Sequence, residues 1–148
     1  MFSQLMDLFH AFAFYTALNA LIILVLGVLV VRARIVTQTD IGDGGKPAMA
    51  GPLRAHGNAT EWTPLALLMM WAFCPLGANI WLMHGVGITL TIGRLLHGIG
   101  LSTSTGPGPL RLIGIMLTWI AYVAAIVGLF YLIFWGGAAA DTSPDLAS

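Results

Sequence analysis

Charged side chains are scarce in this sequence. Asp, Glu, Lys and Arg make up only 8% of its 148 residues, whereas hydrophobic residues make up 58%. A soluble domain carries about 25% charged residues, and one soluble core of this length does not need so much apolar side chain. The excess must face lipid, so the sequence predicts an integral membrane protein. The length allows one domain, residues 1–148.

Other absences exclude further classes of protein. The single cysteine, Cys74, excludes an intramolecular disulfide. The formal net charge of zero gives no basic field that would attract nucleic acid. No two histidines share metal-ligand spacing with a cysteine or an acid, so we expect no metal. No Lys or Arg precedes the first apolar run, which is also too long for a signal core, so we expect a retained helix.

Four apolar segments separated by polar or Gly/Pro-rich stretches predict an all-α membrane protein. Each segment is long enough to cross the roughly 30 Å hydrocarbon layer. The simplest arrangement is an up-and-down bundle of four transmembrane helices, the second and third joined by a tight uncharged hairpin. The tail from Gly136 is small and polar, and we expect it to be mobile. The predicted helices cover about residues 8–34, 52–75, 79–101 and 110–135.

The basic residues predict the orientation of this bundle. All of them fall toward the face that holds the first and third loops, and the termini and the hairpin carry none. By the positive-inside rule this face is cytoplasmic and both termini lie outside. The basic residues are Arg32, Arg34, Lys46, Arg54, Arg94 and Arg111.

Polar residues inside two of the predicted helices mark a candidate site. Arg54, Asn58 and Glu61 are spaced i, i+4, i+7 and share one stripe of the second helix. Arg94 and His97 share a face of the third helix. A charge at the bilayer centre costs about 2.5–3.5 kcal/mol. Either Glu61 neutralises Arg94 or Arg54 and locks the bundle, or these residues line a cavity for a small polyanionic ligand.

The segment Leu53–Pro64, LRAHGNATEWTP, carries a resemblance to a known family. It resembles the signature of the MAPEG family, membrane-associated proteins in eicosanoid and glutathione metabolism. Three further elements match in the same order along the chain. They are Arg32-Ala-Arg34, Arg94-Leu-Leu-His97 and Pro109-Leu-Arg111. The chain therefore resembles a bacterial-type member of this family.

The resemblance implies a homotrimer in the bacterial inner membrane, with glutathione bound between subunits near the cytoplasmic face. It implies that Arg111 stabilises the glutathione thiolate as the catalytic residue. A neighbouring guanidinium favours the thiolate of a thiol whose ordinary pKa is near 8.5. The residues implied to bind the glutathione cofactor are Arg32, Arg54, Asn58, Glu61, Arg94 and His97.

Two functions follow from this sequence. The first is a glutathione-dependent membrane enzyme that conjugates lipophilic electrophiles or reduces lipid hydroperoxides. The alternative is a non-catalytic protein of the same fold that binds a membrane lipid or glutathione. Two departures favour the alternative: many relatives have Tyr where this chain has Leu101, and a basic residue of the third loop is replaced within STSTGPGP. A transporter is disfavoured because the helices are short and unbroken.

Overall fold

Within residues 2–104 and 106–136, which the computed structural model describes, the chain forms four α-helices and no strand. The predicted four-helix membrane fold is therefore confirmed. The tail that we expected to be mobile lies, after Gly136, outside the described residues. The helices are α1 (Phe2–Thr37), α2 (Pro47–Phe73), α3 (Ile80–Thr103) and α4 (Pro109–Trp135).

The second helix begins earlier than we predicted. Its first residue is Pro47, and Pro52 lies inside the helix together with Pro64. Either proline suits a first helical turn, because the missing N–H has no partner there in any case. The sequence alone does not show whether Pro47 or Pro52 begins the helix. Neighbouring groups in a membrane protein can compensate an interior proline, which explains why the helix continues through Pro52.

Two other helix ends also differ from the prediction. The first helix starts at Phe2, six residues before the apolar run, and its 36 residues give a length of roughly 54 Å. The third helix continues through Ser102 and Thr103, so the third loop is shorter than STSTGPGP. The hairpin after α2 is as expected, and its Gly77 adopts a φ of 66°, a conformation that glycine accepts readily.

The helices pack as a central pair with one helix on either side. Helices α2 and α3 contact each other, α1 contacts both of them, and α4 also contacts both. Across residues 2–104 and 106–136, α1 and α4 do not touch. This leaves long apolar faces on the two outer helices, represented by Leu24 at 63% exposed and Val123 at 61% exposed. These faces suit contact with lipid.

By length and composition, two of the described helices are candidate membrane spans, α1 over Ser3–Thr37 and α4 over Pro109–Trp135. Helices α2 and α3 have 27 and 24 residues, enough for about 40 and 36 Å. They are less apolar than α1 and α4 because they carry the polar residues of the candidate site. Their place between α1 and α4 encloses Arg94 and His97 within the bundle.

Small residues bring the α3 and α4 backbones into close contact. A Cβ atom added at Gly114 would lie 2.4 Å from the backbone nitrogen of His97. One added at Gly100 would lie 2.7 Å from the nitrogen of Arg111. The sequence contains no GxxxG pair, but small residues at spacings of three and four serve the same purpose. The buried small residues of α4 are Gly114, Thr118, Ala121, Ala125 and Gly128.

Gly114→Ala should destabilise the protein because the new methyl group meets rigid α3 backbone. Overpacking of this kind costs roughly 1–3 kcal/mol. The matched control is Gly85→Ala in α3, where an added Cβ meets nothing within 4 Å. Thermal unfolding in detergent should show a lower Tm for Gly114→Ala only. Equal Tm values for the two variants would contradict the close packing of α3 on α4.

Candidate functional site

The centre of the candidate site is the guanidinium group of Arg94. Its side chain is 0% exposed and lies where α2, α3 and α4 meet. Nη2 donates to Oδ1 of Asn58 at 2.7 Å, and Nη1 donates to Oγ1 of Thr118 at 3.3 Å. The hydroxyl of Thr118 in turn donates to the Gly114 carbonyl at 2.8 Å. One arginine therefore connects the middle parts of three helices.

The positive charge of Arg94 is not neutralised inside the protomer. Among the described residues no acidic side chain pairs with it, and its buried Nε has no hydrogen-bond partner. Taking an unpaired charge out of water costs several kcal/mol, and two neutral oxygens offset only part of this. The protein therefore holds a guanidinium in its interior that would be stabilised by an anion.

Glu61 does not supply that anion within one protomer, so the expectation that it pairs with Arg94 or Arg54 inside the bundle is wrong. Its side chain is exposed, and no ion pair forms with it among residues 2–104 and 106–136. The reason is helical geometry. At about 100° per residue, Arg54 and Glu61 lie only about 20° apart around α2, whereas Asn58 is rotated about 40–60° from both. Asn58 thus reaches inward while Arg54 and Glu61 face outward.

His97 connects α3 to the first turn of α4. Its side chain is 5% exposed, and Nδ1 lies 2.9 Å from the backbone oxygen of Arg111. A carbonyl oxygen can only accept, so Nδ1 must carry the hydrogen. The close contact between Gly100 and the Arg111 backbone brings the two helices near enough for this bond.

The structure joins the predicted site residues in two pairs, Asn58 with Arg94 and His97 with the Arg111 backbone. The side chains of Arg32, Arg54 and Arg111 are exposed, as Glu61 is. A cavity of about 570 Å³ lies beside Arg111 at the start of α4. The residues lining it are Pro107, Gly108, Pro109, Arg111, Leu112 and Ile115.

Arg34, which matched the basic end of the first helix in the resemblance, lies in the last turn of α1, and its side chain bonds to the first loop. Its Nη1 donates to the backbone oxygens of Thr39, Asp40 and Gly42 at 2.9–3.2 Å. Lys46 likewise donates from Nζ to the backbone oxygen of Thr37. These two cations therefore close the loop between α1 and α2.

Thr118 and a second polar cluster, in the half of the bundle near the termini, were not among the predicted site residues. There the Tyr15 hydroxyl lies 2.8 Å from Nδ1 of His84, and Asn19 donates to Thr91 at 2.9 Å. The available signal was Asn19, an amide side chain within a long apolar run, because such groups bond across helices in membranes.

These features define a class of protein: a polytopic α-helical membrane protein with an arginine enclosed between three of its helices and further charges on its outer faces. The model of the MAPEG family matches residues 12–131, and the chain belongs to this family. The resemblance carried by Leu53–Pro64 is thus confirmed.

Two relatives are similar over most of their length. The inner membrane protein YecN of Escherichia coli strain K12 is 32% identical over 123 residues. The match covers 83% of this chain and 92% of that protein. YecN of Escherichia coli O6:H1 strain CFT073 matches to the same extent. The relatives and the apolar helices together support membrane placement.

Asn58→Ala should destabilise the protein because it removes a charge-assisted hydrogen bond from a buried guanidinium, worth about 1.5–3 kcal/mol. The matched control on the same helix is Thr60→Ala, whose hydroxyl is exposed and bonds only to its own helix at His56 and Gly57. Thermal unfolding in detergent should show a Tm for Asn58→Ala well below that of the control. If both variants have the Tm of the wild type, Asn58 does not stabilise Arg94.

Proposed function

We propose that this protein is a glutathione-dependent membrane enzyme that conjugates lipophilic electrophiles or reduces lipid hydroperoxides. The observation that carries the proposal is the buried guanidinium of Arg94, which has no acidic partner in the described chain. Glutathione offers carboxylates for arginines, an ammonium group for a carboxylate, and a thiol. The membrane concentrates the apolar substrate, and the polar site binds the soluble one.

The predicted site residues divide by charge. The arginines suit the carboxylates of the tripeptide, since guanidinium and carboxylate groups form paired hydrogen bonds. Glu61 is the only acid among the predicted residues and suits the ammonium group. We assign the thiolate to the Arg111 guanidinium, which is exposed beside the cavity at the start of α4. The residues proposed to bind glutathione are Arg32, Arg54, Asn58, Glu61, Arg94 and His97.

The outward position of Glu61 supports a site between subunits of a homotrimer. Glu61 is fourteen residues into α2, which is about 21 Å from its first residue. A single protomer would expose this carboxylate to lipid near the middle of a spanning helix, at a cost of a few kcal/mol. A neighbouring copy with glutathione between the two subunits would remove that cost. The positive-inside rule further places the basic loops in the cytoplasm and both termini outside.

A non-catalytic binding protein is the second candidate, and one observation favours it. Leu101, which stands where many relatives have Tyr, is 7% exposed and packs with Leu26, Ala55 and Ala59. This position therefore offers packing and no hydroxyl group to a ligand. Turnover of a chromogenic electrophile in the presence of glutathione separates the two candidates, because both of them allow binding.

The proposed assembly predicts a threefold mass. Native mass spectrometry in mild detergent should give a trimer, because Arg54 and Glu61 then face a polar interface. A stable monomer or dimer that still binds glutathione would contradict a site between trimer subunits.

The proposed roles of two arginines predict different defects. Arg111→Leu should raise the pKa of the bound thiol and slow conjugation, each pKa unit corresponding to about 1.36 kcal/mol, while glutathione affinity falls only modestly. Arg54→Leu should weaken affinity itself by about 1.5–3 kcal/mol through loss of a charge-assisted bond.

Thiolate absorbance against pH, with affinity measured in parallel by calorimetry, tests both variants. Each variant is the control for the other, since both remove one exposed guanidinium from the basic face. Unchanged thiolate absorbance and turnover in Arg111→Leu would contradict the assignment of the thiolate to that residue.

A further inference from the structure

The hydrogen bond between His97 and Arg111 fixes the proton on the imidazole ring. Since the Arg111 carbonyl can only accept, the hydrogen of a neutral ring stays on Nδ1, and Nε2 carries a lone pair. The α3–α4 contact restrains the ring, because the backbone at His97 lies against Gly114. His97 is therefore a base with a defined basic atom.

That basic atom has no partner in the part of the chain that the structure describes. Among residues 2–104 and 106–136, Nε2 makes no hydrogen bond. It also differs from the Nε atom of Arg94, which is fully enclosed and lacks a partner. The charges that act on the ring are Arg94, one turn earlier on α3, and Arg111 on α4. From α2, the predicted site residues Arg54 and Glu61 are exposed and form no ion pair with the ring in the described chain. Both positive charges repel an imidazolium but stabilise a neighbouring thiolate, so a proton transfer that forms the two ions together is the step that this environment allows.

Arginine cannot perform the proton transfer. A guanidinium has only donors and stays protonated in proteins, so Arg111 can stabilise a thiolate but cannot take the proton from the thiol. Among the predicted site residues only Glu61 and His97 can accept a proton. Glu61 faces outward and is assigned above to the ammonium group, whereas His97 is bonded to the backbone of Arg111.

We propose that Nε2 of His97 accepts the thiol proton of glutathione, which rests on the proposed function. The S–H bond breaks, an N–H bond forms at Nε2, and the electron pair remains on sulfur as a thiolate beside Arg111. The thiolate then forms a bond to the electrophilic carbon of the substrate. In an addition to an activated alkene the imidazolium returns the proton to the substrate carbanion, and in a substitution it releases the proton to water as the leaving anion departs. The paired base and nucleophile act as in other thiol enzymes.

Counting protons tests this role directly. Calorimetric titration of glutathione in two buffers of different ionisation enthalpy gives the protons released on binding, and ultraviolet absorbance gives the thiolate formed. With His97 as the acceptor, the wild type should form thiolate near neutral pH while releasing almost no protons. If Arg111 acted alone, about one proton would leave for each thiolate.

His97→Asn is the informative variant because its amide can still donate to the Arg111 carbonyl but offers no basic nitrogen. It should bind glutathione more weakly than the wild type, since His97 is one of the proposed binding residues, and release about one proton per thiolate formed. Its conjugation rate near neutral pH should fall about 10²-fold, the lower end for general base catalysis, and recover at alkaline pH. The control is His56→Asn in α2, at a histidine outside the site, which should behave as the wild type.

The possible outcomes separate the two proposals. One proton released per thiolate in the wild type overturns the role of His97 and leaves the proposed function standing. An unchanged pH profile in His97→Asn also overturns it. If the wild type neither binds glutathione nor forms thiolate, both proposals fail. The wild-type measurement alone decides the matter if the variant does not fold.

Discussion

The rest of the structure depends on the need to hold the charge of Arg94 inside a membrane bundle. A guanidinium that is 0% exposed must have oxygen partners, and it takes one from Asn58 on α2 and one from Thr118 on α4. This requirement brings three helices together at one level. It also leaves Nε without a partner in the described chain, so the same interaction that organises the helices produces an attraction for an anion.

The contact between α3 and α4 connects this packing to the proposed chemistry. Gly114 and Gly100 allow the two backbones to approach, and the approach brings the ring of His97 to the carbonyl of Arg111. Larger residues at these glycines would separate the base from the arginine proposed to stabilise the thiolate. Helix packing in this protein therefore fixes where His97 lies relative to Arg111, because rigid elements fix the positions of the groups they carry.

The sequence predicted the parts of this structure that follow from periodicity. It did not predict which side chains face inward, because that depends on how the helices pack together. The lengths of the apolar segments predicted the helices. Polar residues inside the second and third helices suggested that polar groups of α2 and α3 meet, as Asn58 and Arg94 do. The start of α2 was predicted at Pro52 and lies at Pro47, because either proline suits a first helical turn. Glu61 was misjudged because a shared stripe on a helix does not reveal which edge of it faces inward. Thr118 carries no signal of its own until α3 and α4 are packed together.

Under the proposed function, the interior charge of Arg94 binds the carboxylates of glutathione. Calorimetric titration of glutathione into wild type and Arg94→Met in detergent tests this role, because methionine keeps an apolar side chain and removes the guanidinium. The Tm of both proteins is measured in parallel, since Asn58 and Thr118 lose a partner in the variant. Saturable binding is expected for the wild type, and weak or absent binding for the variant at a temperature where it is still folded. Equal affinity in the two proteins, or no saturable binding by the wild type, would contradict this role.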